Sequence, residues 1–198
     1  MTNKNPEEIF HQYGGQLRMS EAIKHGITRY MLYSLKDKGI IEQISRGVYR
    51  LTSLPPLSNQ DLVTVSLRFP NAVICLISAL SYHSLTTQIP HSVSIAIPRE
   101  THTPSLVYPP IQVHRFSGQA YLSGIEEHLI DEANIKIYSA EKTIADCFKY
   151  RNKIGMDIVL EAIKFYRARK QFNMNEILKY AKICRVDKGI TPYLEAII

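Results

Sequence analysis

Seven histidines and one Glu-Lys…Asp run are the side chains best equipped for chemistry in this chain of 198 residues. A zinc site needs its ligands at short, fixed spacings. His83, His91, His102, His114 and His128 stand eight or more residues apart, and the sequence contains no HExxH, no His-Cys cluster and no zinc-deaminase pattern. The serines lack the GxSxG elbow of a nucleophile, and neither glycine-rich phosphate loop is present. A metal-dependent nuclease would want an acidic pair and a lysine, for which Glu141-Lys142 and Asp146 are the nearest approach. A helix start explains Glu141 better. Tyr82-His83 reads as a half-buried structural or interface pair. The expectation is a protein without catalytic residues, metal or cofactor.

Cysteine usage and hydropathy bound the setting. Cys75, Cys147 and Cys184 are odd in number, far apart and without a CxxC, which excludes a disulfide framework and fits a reducing compartment. The longest nearly apolar stretch, Ala72 to Leu80, is far shorter than the ~20 residues of a spanning helix. Met1 to Glu8 is polar and acidic, unlike a signal peptide. A cytoplasmic globular protein of one or two domains is expected.

The elements that must position any binding residues divide by charge. The chain carries +6 overall. Residues 1–53 hold eight Lys and Arg against five acids, residues 54–133 three against six, and residues 134–198 thirteen against seven. Positive charge thus lies at both ends, which suggests a polyanionic partner. Pro55-Pro56 stiffens residues 54–60 into a linker, so domains are expected at 1–53 and 61–198.

Within residues 1–53, Asn5-Pro6-Glu7-Glu8 is a helix start, stopped by Gly14-Gly15. A second short helix opens near Ser20 and ends at Gly26; Thr28 caps a third, Arg29 to Lys38, ended by Gly39. Two strand-like runs, Ile40 to Ile44 and Val48 to Leu51, flank Ser45-Arg46-Gly47 as a bulged hairpin. Three helices and a hairpin make a winged helix-turn-helix.

On the third helix Ile27, Met31, Leu32 and Leu35 recur at helical spacing and face the core. Such a helix enters the major groove by its N-terminal end, so Thr28, Arg29, Tyr30 and Tyr33 are the candidates for base edges. Arg46 at the hairpin tip is placed for a phosphate or narrow minor groove, and Lys36, Lys38 and Arg50 for phosphates. Winged helices also dock proteins, so a protein-interaction or scaffold module without specific DNA binding is the alternative.

After the linker, a helix over Asp61–Leu67, a short buried run at Ala72–Leu76 and a helix over Ser78–His83 precede three alternating segments. These are Val93–Ile97, Ile111–Phe116 and Ile135–Tyr138, which read as half-buried strands. Ser139 caps the next helix, a basic amphipathic one runs from Gly155 to Lys170, Asn173 or Asn175 caps another, and Thr191-Pro192 starts the last. The fold class is therefore α+β, a winged helix-turn-helix followed by a mixed domain with its helices toward the C-terminus. A second basic face, Lys149, Arg151, Lys153, Lys164, Arg167, Arg169 and Lys170, together with Lys142, exceeds what Glu161 can offset by pairing with Lys164. DNA, structured RNA and an acidic protein are all open as its partner.

Arg46-Gly47-Val48-Tyr49, the stretch Leu76 to His83, Ile89-Pro90, Ile95 to Pro98, Ile135 to Asp146 and Arg151 to Gly155 occur in an order that resembles the AbiEi-type antitoxins of bacterial abortive-infection systems. The resemblance implies a transcriptional autorepressor that is also an antitoxin. Its winged helix would bind inverted-repeat operator DNA, as a dimer or a cooperative pair. Its C-terminal domain would counter a nucleotidyltransferase toxin in the type IV manner, in which direct contact is not assumed. It would carry no cofactor and no catalytic residue.

Overall fold

Asn5 opens the first helix by accepting a hydrogen bond from the Glu7 backbone at 3.2 Å, with Pro6 in the first turn where its missing N–H costs nothing. A computed structural model describes residues 5–197, with only the backbone of Ile197; the first four residues of the polar Met1–Glu8 stretch lie outside it. Chain contacts form two units, one of residues 1–70 with 128–135, the other of residues 71–127 with 136–198.

The first unit runs α1 (Pro6–Gln12), β1 (Gln16–Arg18), α2 (Met19–Lys24), α3 (Arg29–Asp37), β2 (Ile41–Ser45), β3 (Val48–Leu51) and α4 (Gln60–Arg68). The strands form one antiparallel sheet in the order β1-β3-β2. β1, which no periodicity in the sequence announces, makes β3 the central strand. Its four residues are all buried. Ile9, Phe10, Leu17, Ala22, Ile27, Leu32, Ile41, Tyr49 and Leu51 form the core of the unit, each large aliphatic or aromatic side chain contributing about 2 kcal/mol by its burial. The hairpin turn is tighter than the three residues expected: Ser45 pairs with Val48, leaving Arg46-Gly47 as the loop, with a register shift between Gln43 and Ser45.

The proline segment is anchored. Leu54 packs on this core, and the backbone N–H and hydroxyl of Ser58 and the N–H of Asn59 donate to the Asp131 carboxylate at 2.8, 2.9 and 3.2 Å. Asn59 then caps α4, accepting from Leu62 N–H. Helix α4 belongs to this unit, whereas the expectation from charge and proline content places it in the second.

The second unit contains β4 (Val73–Ile74), α5 (Leu76–Tyr82), β5 (Val93–Pro98), β6 (Ile111–Phe116), α6 (Gln119–Leu122), β7 (Ile125–Ile130), β8 (Ala133–Tyr138), α7 (Ala140–Lys149), α8 (Arg151–Ile154), α9 (Met156–Arg167), α10 (Met174–Cys184) and α11 (Asp187–Ile197). Residues 128–135 of β7 and β8 count with the first unit. The five-stranded sheet has the order β6-β5-β4-β8-β7, with β4 antiparallel to β5 and parallel to β8, and β5 parallel to β6. As an interior strand, β5 is buried on both faces through Val93–Ile97, not half-buried as its alternation suggests. Ser139 and Asn173 cap α7 and α10. Helix α11 starts at Asp187, five residues before Pro192, which lies inside it.

Candidate nucleic-acid interface

Thr28 fixes the start of α3. Its hydroxyl accepts from the Met31 N–H at 3.2 Å, so it serves the helix as cap. Burial of Ile27 and Leu32, with Met31 and Leu35 partly covered, turns the opposite face outward. Tyr30 is 82% exposed and Tyr33 51%, and Arg29, Lys36 and Lys38 are exposed as well. Arg46 stands exposed at the tip of the wing, beside Gly47 at φ +73°, a left-handed conformation that glycine adopts without strain.

Between α3 and the wing lies an open cleft of about 570 Å³. Arg18, Met19, Ser20, Ile23, Arg29, Tyr33, Gln43, Arg46, Gly47, Tyr49 and Arg68 line it. Four are arginines, from four separate segments, and among the described residues no carboxylate lines the cleft. Arg18 is partly neutralised by Glu21, its Nη2 lying 2.6 Å from Oε1. The Arg18 hydrogen bond holds the Glu21 carboxyl below its ordinary range. Concave walls of one charge concentrate field lines and suit a polyanion.

The sequence-derived candidates divide accordingly. Arg29, Tyr33 and Arg46 come together in the cleft, whereas Thr28, Tyr30, Lys36 and Lys38 do not line it. Lys36 Nζ donates to Gln43 Oε1 at 3.4 Å. Arg50 is corrected: it is only 5% exposed, pairs with Glu42 at 3.0 Å and donates to the Pro55 carbonyl. On the central strand it is enclosed by β1 and β2, out of reach of a phosphate. Arg18 and Arg68 are the additions. Arg68 had a visible signal, being the only Lys or Arg between Arg50 and Arg99.

The C-terminal basic face is thinner than its count. Lys149, Lys153, Lys164, Arg167 and Lys170 are exposed. Arg151 instead donates to the Phe148 carbonyl at 2.9 Å and lies 4.5 Å over that ring, and Arg169 donates to the His83 carbonyl. Lys142 is fully buried, paired with Asp146. Glu161 does not pair with Lys164; it accepts from Thr86 and Thr87, which lower its carboxyl below the ordinary range.

Of the groups weighed for catalysis, His83, Glu141, Lys142 and Asp146 are held by structural partners. His83 Nε2 lies 2.8 Å from the Tyr138 carbonyl, and its ring meets Tyr82 edge-on at 5.3 Å. Glu141 accepts from the Tyr166 hydroxyl, and Asp146 from both Lys142 and Cys184. Among the described residues no three His, Cys, Asp or Glu side chains are grouped to hold a metal ion, and no helix is long and apolar enough to cross a membrane.

Helices α1–α3 followed by a hairpin, with a basic cleft between α3 and the hairpin, define a winged helix-turn-helix within an α+β chain. Residues 6–52, about a quarter of the chain, match the model of the AbiEi_4 family, described as "Transcriptional regulator, AbiEi antitoxin", so over this segment the family resemblance holds. The crystal structure of the RV2827C protein from Mycobacterium tuberculosis is similar in fold, at 11% identity and a TM-score of 0.52, over 96% of this chain and 78% of that one. No curated protein matches the chain.

Proposed function

We propose that this protein is the antitoxin and transcriptional autorepressor of a bacterial toxin–antitoxin operon of type IV. The winged helix binds inverted-repeat operator DNA in the promoter of its own operon, as a dimer or a cooperative pair matching the symmetry of the repeats. The second unit counters a nucleotidyltransferase toxin, and the protein acts in the cytoplasm without catalysis or cofactor. One observation carries the DNA reading: the arginine cleft, free of lining carboxylates, sits between the recognition helix and the wing of the very segment that matches the regulator family.

The test is a gel shift with the DNA upstream of its own coding sequence. The doubly substituted R29A/R46A protein abolishes retardation while its circular dichroism is unchanged; unaltered affinity would overturn the assignment. Wild-type affinity falls steeply with salt, by about one log unit per log unit of salt for each phosphate neutralised. Expressing the same variant beside the neighbouring gene's product separates the two activities: it continues to protect the cell while repression is lost. Protection lost together with repression would refute the division of labour between the units.

A further inference from the structure

Arg68 belongs to the cleft by geometry and to a different segment by sequence. It ends α4, where its charge also complements the helix C-terminus. Its Nε is buried without a hydrogen-bond partner. Its Nη1 is the nearest atom to the place a Cβ would occupy on Gly47, 3.9 Å away, so the guanidinium faces the wing turn across space that glycine leaves open. Among the described residues no carboxylate comes within ion-pair distance of Arg68, Arg46 or Arg29, whereas Arg18 is held by Glu21. The buried Nε is closed to a ligand, but the terminal Nη groups keep accessible surface and have no hydrogen-bond or ion-pair partner among the described residues, so they are open to an anion entering the cleft. The acceptor that matches its planar fork is a phosphate or carboxylate. Duplex DNA approaching the wing brings a row of phosphates, and a side chain partly buried in the cleft wall meets that backbone before any base edge.

We propose that Arg68 is a backbone-phosphate contact, closing on a DNA phosphate beside the wing turn that carries Arg46. The DNA-binding module then extends past the proline segment through α4. The inference rests on the DNA reading above and adds a residue outside the segment that matches the family.

The experiment measures fluorescence anisotropy of the full chain on two labelled duplexes, one from immediately upstream of its coding sequence and one of shuffled sequence. R68Q raises Kd about tenfold on both, because a phosphate contact carries no sequence information. It also lowers the slope of log affinity against log salt by about 0.9. R68K, which keeps the charge but loses the fork, retains the slope and raises Kd about threefold; it decides the matter if R68Q does not fold. Unchanged Kd and slope in both variants, with R46A still weakened, overturns the Arg68 contact alone. Wild-type protein that binds neither duplex at low salt overturns the DNA reading and this inference together. Inorganic phosphate added at constant ionic strength leaves the affinity unchanged. Saturable binding of inorganic phosphate to the wild type that R68Q abolishes, with Kd for both duplexes unchanged in R68Q, would make the cleft a site for free phosphate and refute the DNA contact.

Discussion

Lys142 has no exposed surface; its ammonium lies 4.3 Å over the Tyr138 ring and 5.0 Å over Phe116, and it pairs with Asp146. Burial pushes the Asp146 carboxyl up, while Lys142 and the Cys184 thiol, 3.1 Å from Oδ1, pull it back. Removing one partner of such a pair leaves a buried charge unanswered, at a cost of about 3–5 kcal/mol. Asp146→Ala should therefore lower stability by that amount in urea unfolding, and Lys142→Met with Asp146→Leu should recover most of it. A cost under about 1 kcal/mol for Asp146→Ala would show that the charges are not both desolvated. His114 gives a pH-dependent counterpart. It is 9% exposed, its Nε2 is buried without a partner, and Tyr150 meets it edge-on at 5.3 Å. Burial, then the Lys153 charge, draws its pKa from 6.5 down to about 4. Between these values the unfolded chain binds the proton and the folded chain does not, so stability falls as pH drops through that window. The loss attributable to His114 reaches about 2–3 kcal/mol. Unfolding midpoints of His114→Phe followed from neutral pH downward should lack that component, and an identical pH slope in the variant would refute it.

At the scale of elements, local signals were legible and nonlocal pairing was not. Helix α3 was readable because its apolar positions, its Thr28 cap and its Gly39 stop all act within a dozen residues. The caps Asn5 and Ser139 were readable for the same reason, and Asn173 as one of two neighbouring asparagines. Strand β1 is three residues long and forms only by pairing with β3, some thirty residues on. Without it β3 looks like an outer hairpin strand and Arg50 like a free arginine. Pro192 misled in the opposite way. Proline favours a first turn, yet here it lies inside α11, where the Lys188 carbonyl it leaves without a donor belongs to an exposed residue and can bond water. The division of roles within α3 is testable. If Thr28 acts as the cap, Thr28→Ala costs about 1 kcal/mol in thermal unfolding, Thr28→Ser costs little, and the serine variant retards DNA like the wild type. Serine lacks only a methyl group, so lost retardation with intact stability would return Thr28 to the base-reading set.

Over the whole molecule, the charge that first suggested a polyanion resolves into one organised site and one diffuse surface. The organised site depends on residues distant in sequence. Arg18 precedes α2, Arg68 ends α4, and α4 follows a segment that Asp131 tethers through Ser58 and Asn59. Gln16, on β1, donates to the Asp131 carbonyl as well. Asp131 therefore supports both the strand that completes the wing sheet and the segment that leads into α4. Replacing it with alanine removes three charge-assisted hydrogen bonds to an exposed segment, a loss of about 1–2 kcal/mol after solvent compensation. Its effect on DNA should exceed its effect on stability if α4 supplies a contact. Asp131→Ala is expected to weaken duplex binding severalfold by anisotropy while the protein remains folded at the assay temperature. In an R68Q background the same substitution should add little further, because both act through the position of one guanidinium. Full additivity of the two losses would mean that the tether and Arg68 act independently, and that the segment after the prolines supports the fold without shaping the cleft.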